Sequence, residues 1–399
     1  MKNRKRRICF IITSVIHYAR NFLILEELKK RRDVDLHVVL GGIVLSSKYS
    51  SHSFNVKKIL EEEGYTNIHE VHFNLDGDKQ VIKAKTVGLG IVEFSSIFNE
   101  INPDLVVIRG DRFEVLAAAV AAAHMNIPIA HIEGGDLSGT LDESIRHAIT
   151  KLSHIHFTTN TDAYNRVLRM GERQEYVFNF GSPDVEVIKK ILKNKINKNS
   201  IKLDEFGSGF DVNINKDFVI IMYHPVNSET ENLSENTKNI LQAVNDLGIQ
   251  TIWFWPNFDA GAELISHELR IFKDEVSGHK IKFLRYLHPK EFSILLNKSK
   301  CLIGNSSAGI KECSFLGVPV VNIGSRQSNR LRSENVIDCG NSEKEIKKAI
   351  EKQIEKGRYK SSNLYHAKET SKEIAKVLVK VNLYTQKCFV DQDYEEKNL

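Results

Sequence analysis

The sequence predicts an α/β protein made of two Rossmann-like domains that face each other across a cleft. Apolar, β-branched runs alternate with helical stretches along the 399 residues, and this pattern is typical of parallel sheets covered on both faces. A layout of strand, glycine turn, helix and strand occurs once in each half of the chain. No run approaches the roughly 18–20 apolar residues of a membrane helix.

Ten apolar stretches carry the strand prediction, five in each half. In the first half they are RICFIIT, VDLHVVLG, DLVVIRG, IPIAHI and HFTTN. In the second half they are DFVIIMYH, QTIWFW, IKFLRYL, KCLIGN and VPVVNIG. Apolar residues recur at intervals of three and four in NFLILEELKKR, FEVLAAAVAAAHM and EFSILLNKS, which predicts helices there.

A polar, Lys/Asn-rich stretch containing Gly-Ser-Gly separates the two halves and predicts a domain boundary near residue 180. We therefore expect one domain over 1–180 and a second over 181–370. Residues 371–399 are expected to form a helical segment and tail that packs back on the first domain, with packing on the second as the alternative.

The composition narrows the classes of molecule that this protein is expected to bind. The 56 basic and 51 acidic residues give a net charge of +5, too mild to indicate a nucleic-acid partner. The basic start is interpreted as a solvated tail before a buried strand, because the apolar run that follows is short and lacks a cleavage site. The five cysteines are scattered without a CxxC pair. We expect a cytoplasmic protein with no membrane contact, metal or cofactor.

The repeated unit indicates where a ligand binds. It comprises DLVVIRGDRFEVLAAAVAAAHMNIPIAHI in the first half and KCLIGNSSAGIKECSFLGVPVVNIG in the second. In such units the loop after the strand opens a helix, whose free N–H groups and dipole favour an anion. Two facing units form a cleft. The sequence has neither GxGxxG nor GxxxxGK[ST], which argues against dinucleotide oxidoreductases and P-loop proteins.

Two charged residues follow the strand of the first unit. Asp111 and Arg112 stand where the strand ends and the helix begins. Asp111 could act as an acid or base in the cleft or cap the helix. Arg112 could bind phosphate through its planar guanidinium or lie in solvent. Spacing alone leaves both pairs of interpretations open.

The stretch HIEGGDLSGTLDESIRHA, from His131 to Ala148, carries four carboxylates. Glu133 directly follows a strand and precedes two glycines, so it is expected to point into the cleft. Asp136 is interpreted as a turn residue. Thr140 and Glu143 match a capping box, and spacing alone favours capping over catalysis for Glu143. The helix is expected to bury Ile145, Ala148, Ile149 and Leu152.

The second half carries polar and charged residues that could contact a ligand from the other side of the cleft. His224 ends a strand before a proline, where it could be structural or donate to a phosphate. Ser306 and Ser307 precede a helix and could hydrogen-bond a phosphate. Glu312 could accept from ribose hydroxyls or lie in solvent, and Arg326 could bind a phosphate or a base or be a surface charge.

Taken together, these motifs resemble the UDP-N-acetylglucosamine 2-epimerase family, and most closely its hydrolysing branch. The resemblance rests on GDRFEVLA, HIEGGDLSGTLDESIRHAITKLSH, YHPV, PNFDAG, GNSSAGIKE and GVPVVNIGSRQ, in order over roughly residues 100–330. It implies the two-domain fold shared with one large glycosyltransferase class, a nucleotide sugar in the cleft, and a homodimer or homotetramer.

The resemblance also implies a chemistry. UDP leaves UDP-N-acetylglucosamine by anti elimination across C1–C2, giving 2-acetamidoglucal. Water then adds at C1 while C2 is reprotonated on its other face, yielding N-acetylmannosamine and UDP for sialic-type acid and surface polysaccharide synthesis. Asp111, Glu133, Asp142, Glu143 and His224 match the family's catalytic residues. Arg112, Ser306, Ser307, Glu312 and Arg326 match its substrate and UDP contacts.

We assign the proton transfers to Glu133 and Asp111, with Asp142 or Glu143 assisting and His224 helping UDP to leave. One departure concerns the diphosphate: Val15 stands where the family has an arginine, and Arg20 either compensates or faces water. Alternatives are the same chemistry on UDP-N,N'-diacetylbacillosamine, a non-hydrolysing epimerase, a glycosyltransferase of the same architecture, and a non-catalytic nucleotide-sugar sensor.

Overall fold

The computed structural model describes residues 4–46, 55–77, 79–193, 203, 206–226, 229–257, 259–366 and 368–391. Part of the polar connection between the halves, Phe258 of PNFDAG and the acidic end after residue 391 lie outside the described residues. The predictions for the tail therefore concern the structure only up to that point.

The first half of the chain forms a seven-stranded parallel sheet. Its strands are β1 (Arg6–Ile12), β2 (Val34–Gly41), β3 (Ile68–Val71), β4 (Leu105–Arg109), β5 (Ile129–Ile132), β6 (Ile155–Thr158) and β7 (Val177–Asn179). Their order is β3-β2-β1-β4-β5-β6-β7. Every neighbouring pair is parallel.

Helices cover both faces of this sheet, and an apolar core lies on each side. The helices are α1 (Val15–Lys29), α2 (Val56–Glu62), α3 (Gln80–Ile101), α4 (Phe113–His124), α5 (Leu141–Leu152) and α6 (Thr161–Arg169). The next helix, α7 (Pro183–Lys193), packs against α1 and also against the core of the second half. The alanines of α4 let it pack closely against α3. Burial on both faces explains why these strands have continuous apolar runs.

The second half repeats the architecture. Its strands are β8 (Ser208–Gly209), β9 (Phe218–Met222), β10 (Gln250–Phe254), β11 (Ile281–Leu284), β12 (Leu302–Gly304), β13 (Val320–Ile323) and β14 (Val336–Cys339). Their order is β14-β13-β12-β9-β10-β11-β8, and β8 is antiparallel to its neighbour. The helices are α8 (Leu233–Leu247), α9 (Ala262–Glu275), α10 (Pro289–Lys298), α11 (Ser307–Ile310), α12 (Glu312–Leu316), α13 (Glu343–Lys356) and α14 (Thr370–Lys380).

The structure confirms the predicted fold of two Rossmann-like domains and all ten predicted strands. The four strands that the sequence did not indicate, β3, β7, β8 and β14, are the edges of the two sheets. They are two to four residues long and largely half-buried. An edge strand has a neighbour on one side alone, so it lacks the apolar run of a central strand.

Helix α14 lies against α1 of the first domain. Ile374 and Leu378 are buried in the same apolar core as β1, and Arg6 donates to the carbonyl oxygens of Leu378 and Val381. The chain thus returns to its first domain after completing the second sheet. None of the helices in the described ranges is long and apolar enough to cross a bilayer.

Candidate active site

The carboxyl ends of both sheets face a cleft with a cavity volume of about 280 Å³. Nine of the ten predicted site residues line it: Asp111, Arg112, Glu133, Asp142, His224, Ser306, Ser307, Glu312 and Arg326. The loops after β4 and β5 supply the acidic wall, and those after β9, β12 and β13 supply the opposite wall. The walls also touch directly, since the Gly139 N–H donates to the Arg326 carbonyl at 3.1 Å.

Glu143 is the residue that the structure does not place with the others. It lies outside the cavity lining; its carboxylate accepts from the Ser138 N–H at 2.5 Å and lies 3.9 Å from His147 Nε2. The predicted capping box is only partly present: Thr140 occupies the N-cap of α5 as predicted, but its side chain forms no capping hydrogen bond. Glu143 secures the loop that enters the helix.

The buried face of α5 also differs from the prediction. Ile149 is fully buried, whereas Ala148 is exposed. The position facing the interior is taken by Arg146, whose side chain forms an ion pair with Asp111 and donates to the Asp136 carbonyl at 2.8 Å. This part of the helix anchors a charge network, so its buried face is less apolar than the spacing indicated.

Glu133 occupies an unusual backbone conformation at the exit of β5. Its φ angle is +75°, a left-handed value that costs about 1–3 kcal/mol for a residue other than glycine and is found preferentially at functional sites. The residue is 6% exposed. Its Oε2 accepts from Arg109 Nε and Nη2 at 3.1 and 2.9 Å. The opposite oxygen, Oε1, accepts from Lys311 Nζ.

Arg109 connects Glu133 to the first helix and to the start of α7. It is 1% exposed, forms an ion pair with Asp184 and donates to Asn21 Oδ1 at 3.3 Å. Burial alone would raise the pKa of Asp184, but Arg109 and Arg20 lower it below its ordinary value. The carboxylate of Asp184 is therefore held ionised between two guanidinium groups.

Asp136 was predicted to be a turn residue, and this was wrong. It is 3% exposed and accepts from Thr159 Oγ1 and Asn160 Nδ2 at 2.9 and 3.2 Å. Its Oδ2 lies 2.9 Å from Lys311 Nζ and 3.6 Å from Arg330 Nη2. Both cations come from the second domain, so Asp136 is an inter-domain ion-pair residue.

Arg112 and Asp142 both lie near Asp259 of the opposite wall. Arg112 Nη1 donates to Asp259 Oδ1 at 3.4 Å, and its other nitrogens bind Glu114. Burial, followed by the negative charge of Asp259, raises the pKa of Asp142, and Arg326 and Arg112 oppose that shift. Asp142 is consequently easier to protonate than an exposed aspartate, which suits a group that holds and donates a proton.

His224 is buried at the exit of β9 and held in one orientation. Its Nδ1 accepts from the Asn257 N–H at 3.2 Å, which leaves the proton on Nε2. Burial, with the charge of Arg326, lowers the pKa of His224 to about 3. A histidine with this pKa is neutral at pH 7, so it can donate a hydrogen bond to a phosphate but does not bring a cation to it.

The low pKa of His224 predicts a pH-dependent stability. An unfolded histidine has a pKa of 6.5, so between pH 6.5 and about 3 the unfolded chain binds the extra proton. The free energy of unfolding should therefore fall as pH decreases through this window, at about 1.4 kcal/mol per pH unit for this group. Chemical denaturation of His224→Asn and wild type at pH 7.5 and 5.5 should show a shallower pH dependence for the variant. Equal slopes would contradict the lowered pKa.

The second wall carries polar groups suited to a nucleotide. Ser306 caps α11 by accepting from the Ala308 N–H, and Arg326 donates to the Asn305 carbonyl at 3.2 Å. Glu312 is 5% exposed and does not lie in solvent. Burial raises the pKa of Glu312, and the positive charge of Arg20 opposes that shift. Its Oε1 lies 3.5 Å from Arg20 Nη2.

The structure decides between the two alternatives for Arg20. Val15 and Arg20 both line the cavity, and the Arg20 guanidinium crosses to the second domain. It donates to Ser307 Oγ at 3.2 Å and lies 3.7 Å from Asp184 Oδ2. Arg20 therefore brings a cation from α1 to Ser306 and Ser307 at the start of α11, which we call the serine loop, and does not face water.

The sequence patterns did not indicate five charged residues of this site, which are Arg109, Arg146, Asp184, Asp259 and Lys311. Two of them could have been noticed in the sequence, because Arg109 ends the otherwise apolar strand DLVVIR and Asp259 lies in the motif PNFDAG. Arg146 lies on a helix and Lys311 at the break between two short helices, and a cation is ordinary in either place. Across the described ranges, no three His, Cys, Asp or Glu side chains group as metal ligands.

Fold and site together define a two-domain α/β protein whose charged cleft carries acids on one wall and serine and arginine side chains on the other. A sequence profile of the family described as UDP-N-acetylglucosamine 2-epimerase matches residues 26–379. The chain belongs to the UDP-N-acetylglucosamine 2-epimerase family.

Two relatives and one solved structure illustrate the similarity. A Legionella pneumophila protein named UDP-N,N'-diacetylbacillosamine 2-epimerase (hydrolyzing) is 32% identical over 381 residues, covering 96% of this chain and 97% of the relative. A Neisseria meningitidis protein named UDP-N-acetylglucosamine 2-epimerase is 30% identical over 394 residues, covering 97% and 99%. The Methanocaldococcus jannaschii UDP-GlcNAc 2-epimerase structure, in complex with UDP-GlcNAc and UDP, has a TM-score of 0.75 at 20% identity, covering 93% and 99%. That structural likeness concerns the fold.

Proposed function

We propose that this protein is a hydrolysing 2-epimerase that converts UDP-N-acetylglucosamine and water to N-acetylmannosamine and UDP. The observation that carries the proposal is the cleft, in which three carboxylates of the first domain face the serine loop and arginine of the second. The family membership supports a UDP-sugar as the ligand, and the name of the Legionella relative supports the hydrolysing reaction. The product would enter nonulosonic acid and surface polysaccharide synthesis.

The reaction needs one group to take the C2 proton and another to return a proton to the opposite face. In the first step the C2–H electrons form the C1–C2 double bond while the C1–O bond breaks and UDP leaves. In the second, water supplies the hydroxyl at C1 and a proton is delivered to C2. We assign proton removal to Glu133, because its two cationic neighbours favour the ionised carboxylate.

Asp111 and Asp142 are assigned to proton return and to activation of water. Asp111 is held by Arg146, and burial with the charge of Asp259 raises the pKa of Asp142, which makes this carboxyl easier to protonate. Glu143, outside the cavity lining, is given a supporting role on the loop before α5. His224 donates its Nε2 proton in a hydrogen bond that stabilises the departing diphosphate.

The nucleotide is assigned to the second wall. Ser306 and Ser307 offer hydroxyls and backbone N–H groups to the diphosphate, with Arg112 and Arg20 supplying positive charge from the first domain. Glu312 and Arg326 complete the assigned UDP contacts. Arg20 takes the task that the arginine replaced by Val15 performs in the family. The homodimer or homotetramer stays a prediction.

UDP-N,N'-diacetylbacillosamine is the second candidate substrate. The name of the relative that is 32% identical over 96% of this chain favours it. The two sugars share the C2 acetamido group and the UDP leaving group, so the residues assigned to chemistry serve either. What differs is the substituents at C4 and C6, which do not react.

The test is to incubate the purified protein with each UDP-sugar in the absence of any acceptor and to quantify UDP and free sugar. We expect UDP release in a one-to-one ratio with free N-acetylmannosamine, and a higher kcat/KM for UDP-N-acetylglucosamine. A higher value for UDP-N,N'-diacetylbacillosamine would transfer the assignment to that sugar. Formation of UDP-N-acetylmannosamine would indicate a non-hydrolysing epimerase, and no UDP release without an acceptor would indicate a glycosyltransferase.

A further inference from the structure

Lys311 is a fully buried amine that crosses from the second domain to the first. It is 0% exposed and stands at the break between α11 and α12, with φ −92° and ψ −67°. Its Nζ binds Glu133 Oε1 and lies 2.9 Å from Asp136 Oδ2. Lys311 does not line the cavity, so no substrate group accounts for its position.

A lysine without solvent contact needs a compensating partner, because removing an ammonium from water is costly. Lys311 has two, and one of them is the carboxylate assigned to proton removal. Glu133 is thereby held on both oxygens: Arg109 donates to Oε2 from the first domain, and Lys311 donates to Oε1 from the second. Within the described ranges no other side chain donates to this carboxylate, so its orientation depends on these two cations.

Lys311 is also directly connected to the serine loop. Its backbone N–H donates to the Ser307 carbonyl at 3.0 Å, and the four residues of α11 lie between the loop and the amine. Gly309 packs so closely that a Cβ there would lie 2.9 Å from Val320 Cγ1. The segment is therefore seated on the sheet as a unit, which fixes the amine relative to the serines.

We propose that Lys311 is a positioning residue, which reaches from the second domain to fix the Glu133 carboxylate for proton removal. The role given to Glu133 rests on the proposed function; the contact and its electrostatic effect do not. Lys311 thereby links the segment that carries Ser306 and Ser307 to the Glu133 carboxylate across the cleft.

The charged groups around this contact define what removal of Lys311 would change. Those that face the Lys311–Glu133 pair are Arg20, Arg109, Asp136, Asp184, Glu312 and Arg330. Burial lowers the pKa of Lys311, and the charges of Arg330, Arg109 and Arg20 add to this, while Glu312 opposes it. The positive charge of a protonated Lys311 amine favours the ionised form of Glu133. Replacing Lys311 by a neutral residue should therefore make the Glu133 carboxylate easier to protonate.

The experiment compares Lys311→Met and Lys311→Gln with wild type and with Asp136→Asn as the matched control. Asp136→Asn removes the other carboxylate at the same amine but leaves the Glu133 contact, and Asp136 is not part of the cavity lining. Lys311→Gln keeps a hydrogen-bond donor in case the apolar variant does not fold. The readouts are kcat and KM for the nucleotide sugar, the pH profile of kcat, and the carboxyl ¹³C titration of Glu133 with UDP bound, assigned by Glu133→Gln.

We expect Lys311→Met to lower kcat by roughly 100-fold, the scale of a misplaced catalytic group, with KM within a few-fold of wild type. The acidic limb of its pH profile and the Glu133 titration should both move to higher pH, and Asp136→Asn should change neither by a comparable amount. An unchanged Glu133 titration in a folded Lys311 variant would overturn the inference. Wild type without activity would reject the proposed function, while the titration would still decide the role of Lys311.

Discussion

Glu133→Gln should reduce turnover by about 10²–10⁴-fold, the usual contribution of a positioned acid or base. Glutamine has nearly the same shape and keeps one acceptor oxygen for either Arg109 or Lys311, but its amide NH₂ replaces the oxygen that faces the other donor, and it cannot take the C2 proton. Binding of UDP, assigned to the opposite wall, should change little. Steady-state kinetics and a UDP titration on the same preparation separate the two effects.

Asp111→Asn is the matched substitution for this prediction. It makes the same carboxylate-to-amide change on the same wall of the cleft, where Asp111 pairs with Arg146. We expect a large loss of turnover here too, because proton removal and proton return each need a group. If both variants were folded and kept near-normal turnover, the assignment of the proton transfers would be wrong.

Arg109→Met should destabilise the protein by about 3–5 kcal/mol, the cost of removing one partner from a buried ion pair. Arg109 is 1% exposed and bound to Glu133, Asp184 and Asn21. Its removal leaves two buried carboxylates with fewer partners, which is more costly than the lost contacts themselves. Urea denaturation followed by circular dichroism measures the change in the free energy of unfolding.

Arg31→Met provides the control for Arg109. Arg31 forms an ion pair with the largely exposed Asp33 at 3.1 Å, and such surface pairs contribute about 0–1 kcal/mol. The two substitutions remove the same chemical group and differ in burial. A loss at Arg109 no larger than that at Arg31 would mean that the buried network contributes little to stability.

The sequence predicted the central part of each sheet because a strand buried on both faces must be apolar along its whole length. The sequence did not predict the edge strands β3, β7, β8 and β14, because they are short and half-exposed and so lack a continuous apolar run. Likewise the residues that follow strands into the cleft, such as Glu133 and His224, could be predicted because strand ends in parallel sheets share one edge.

The ion-pair partners could not be predicted from local spacing. Lys311 and Glu133 are 178 residues apart, and nothing near either residue indicates the other. Asp136 follows two glycines and has the local character of a turn, yet its partners Lys311 and Arg330 come from the second domain. Local spacing describes the helix start around Glu143 better, although the Glu143 carboxylate accepts its hydrogen bond from the Ser138 N–H.

The assignment of Arg20 shows what three-dimensional placement adds. The sequence indicated that Val15 stands at a position where a diphosphate contact is expected, and left the task of Arg20 open. The turn of α1 brings the guanidinium of Arg20 to Ser307 across the cleft. A cation at the serine loop is therefore retained, although it comes from a residue five positions later in the chain.

The central claim is that the cleft removes the C2 proton and returns one from water while UDP departs. Its most direct test is the proton NMR spectrum of the sugar formed from UDP-N-acetylglucosamine in deuterated water. The mechanism predicts free N-acetylmannosamine in which deuterium replaces the hydrogen at C2. Free sugar that retains its original hydrogen at C2, or substrate recovered unchanged, would contradict it.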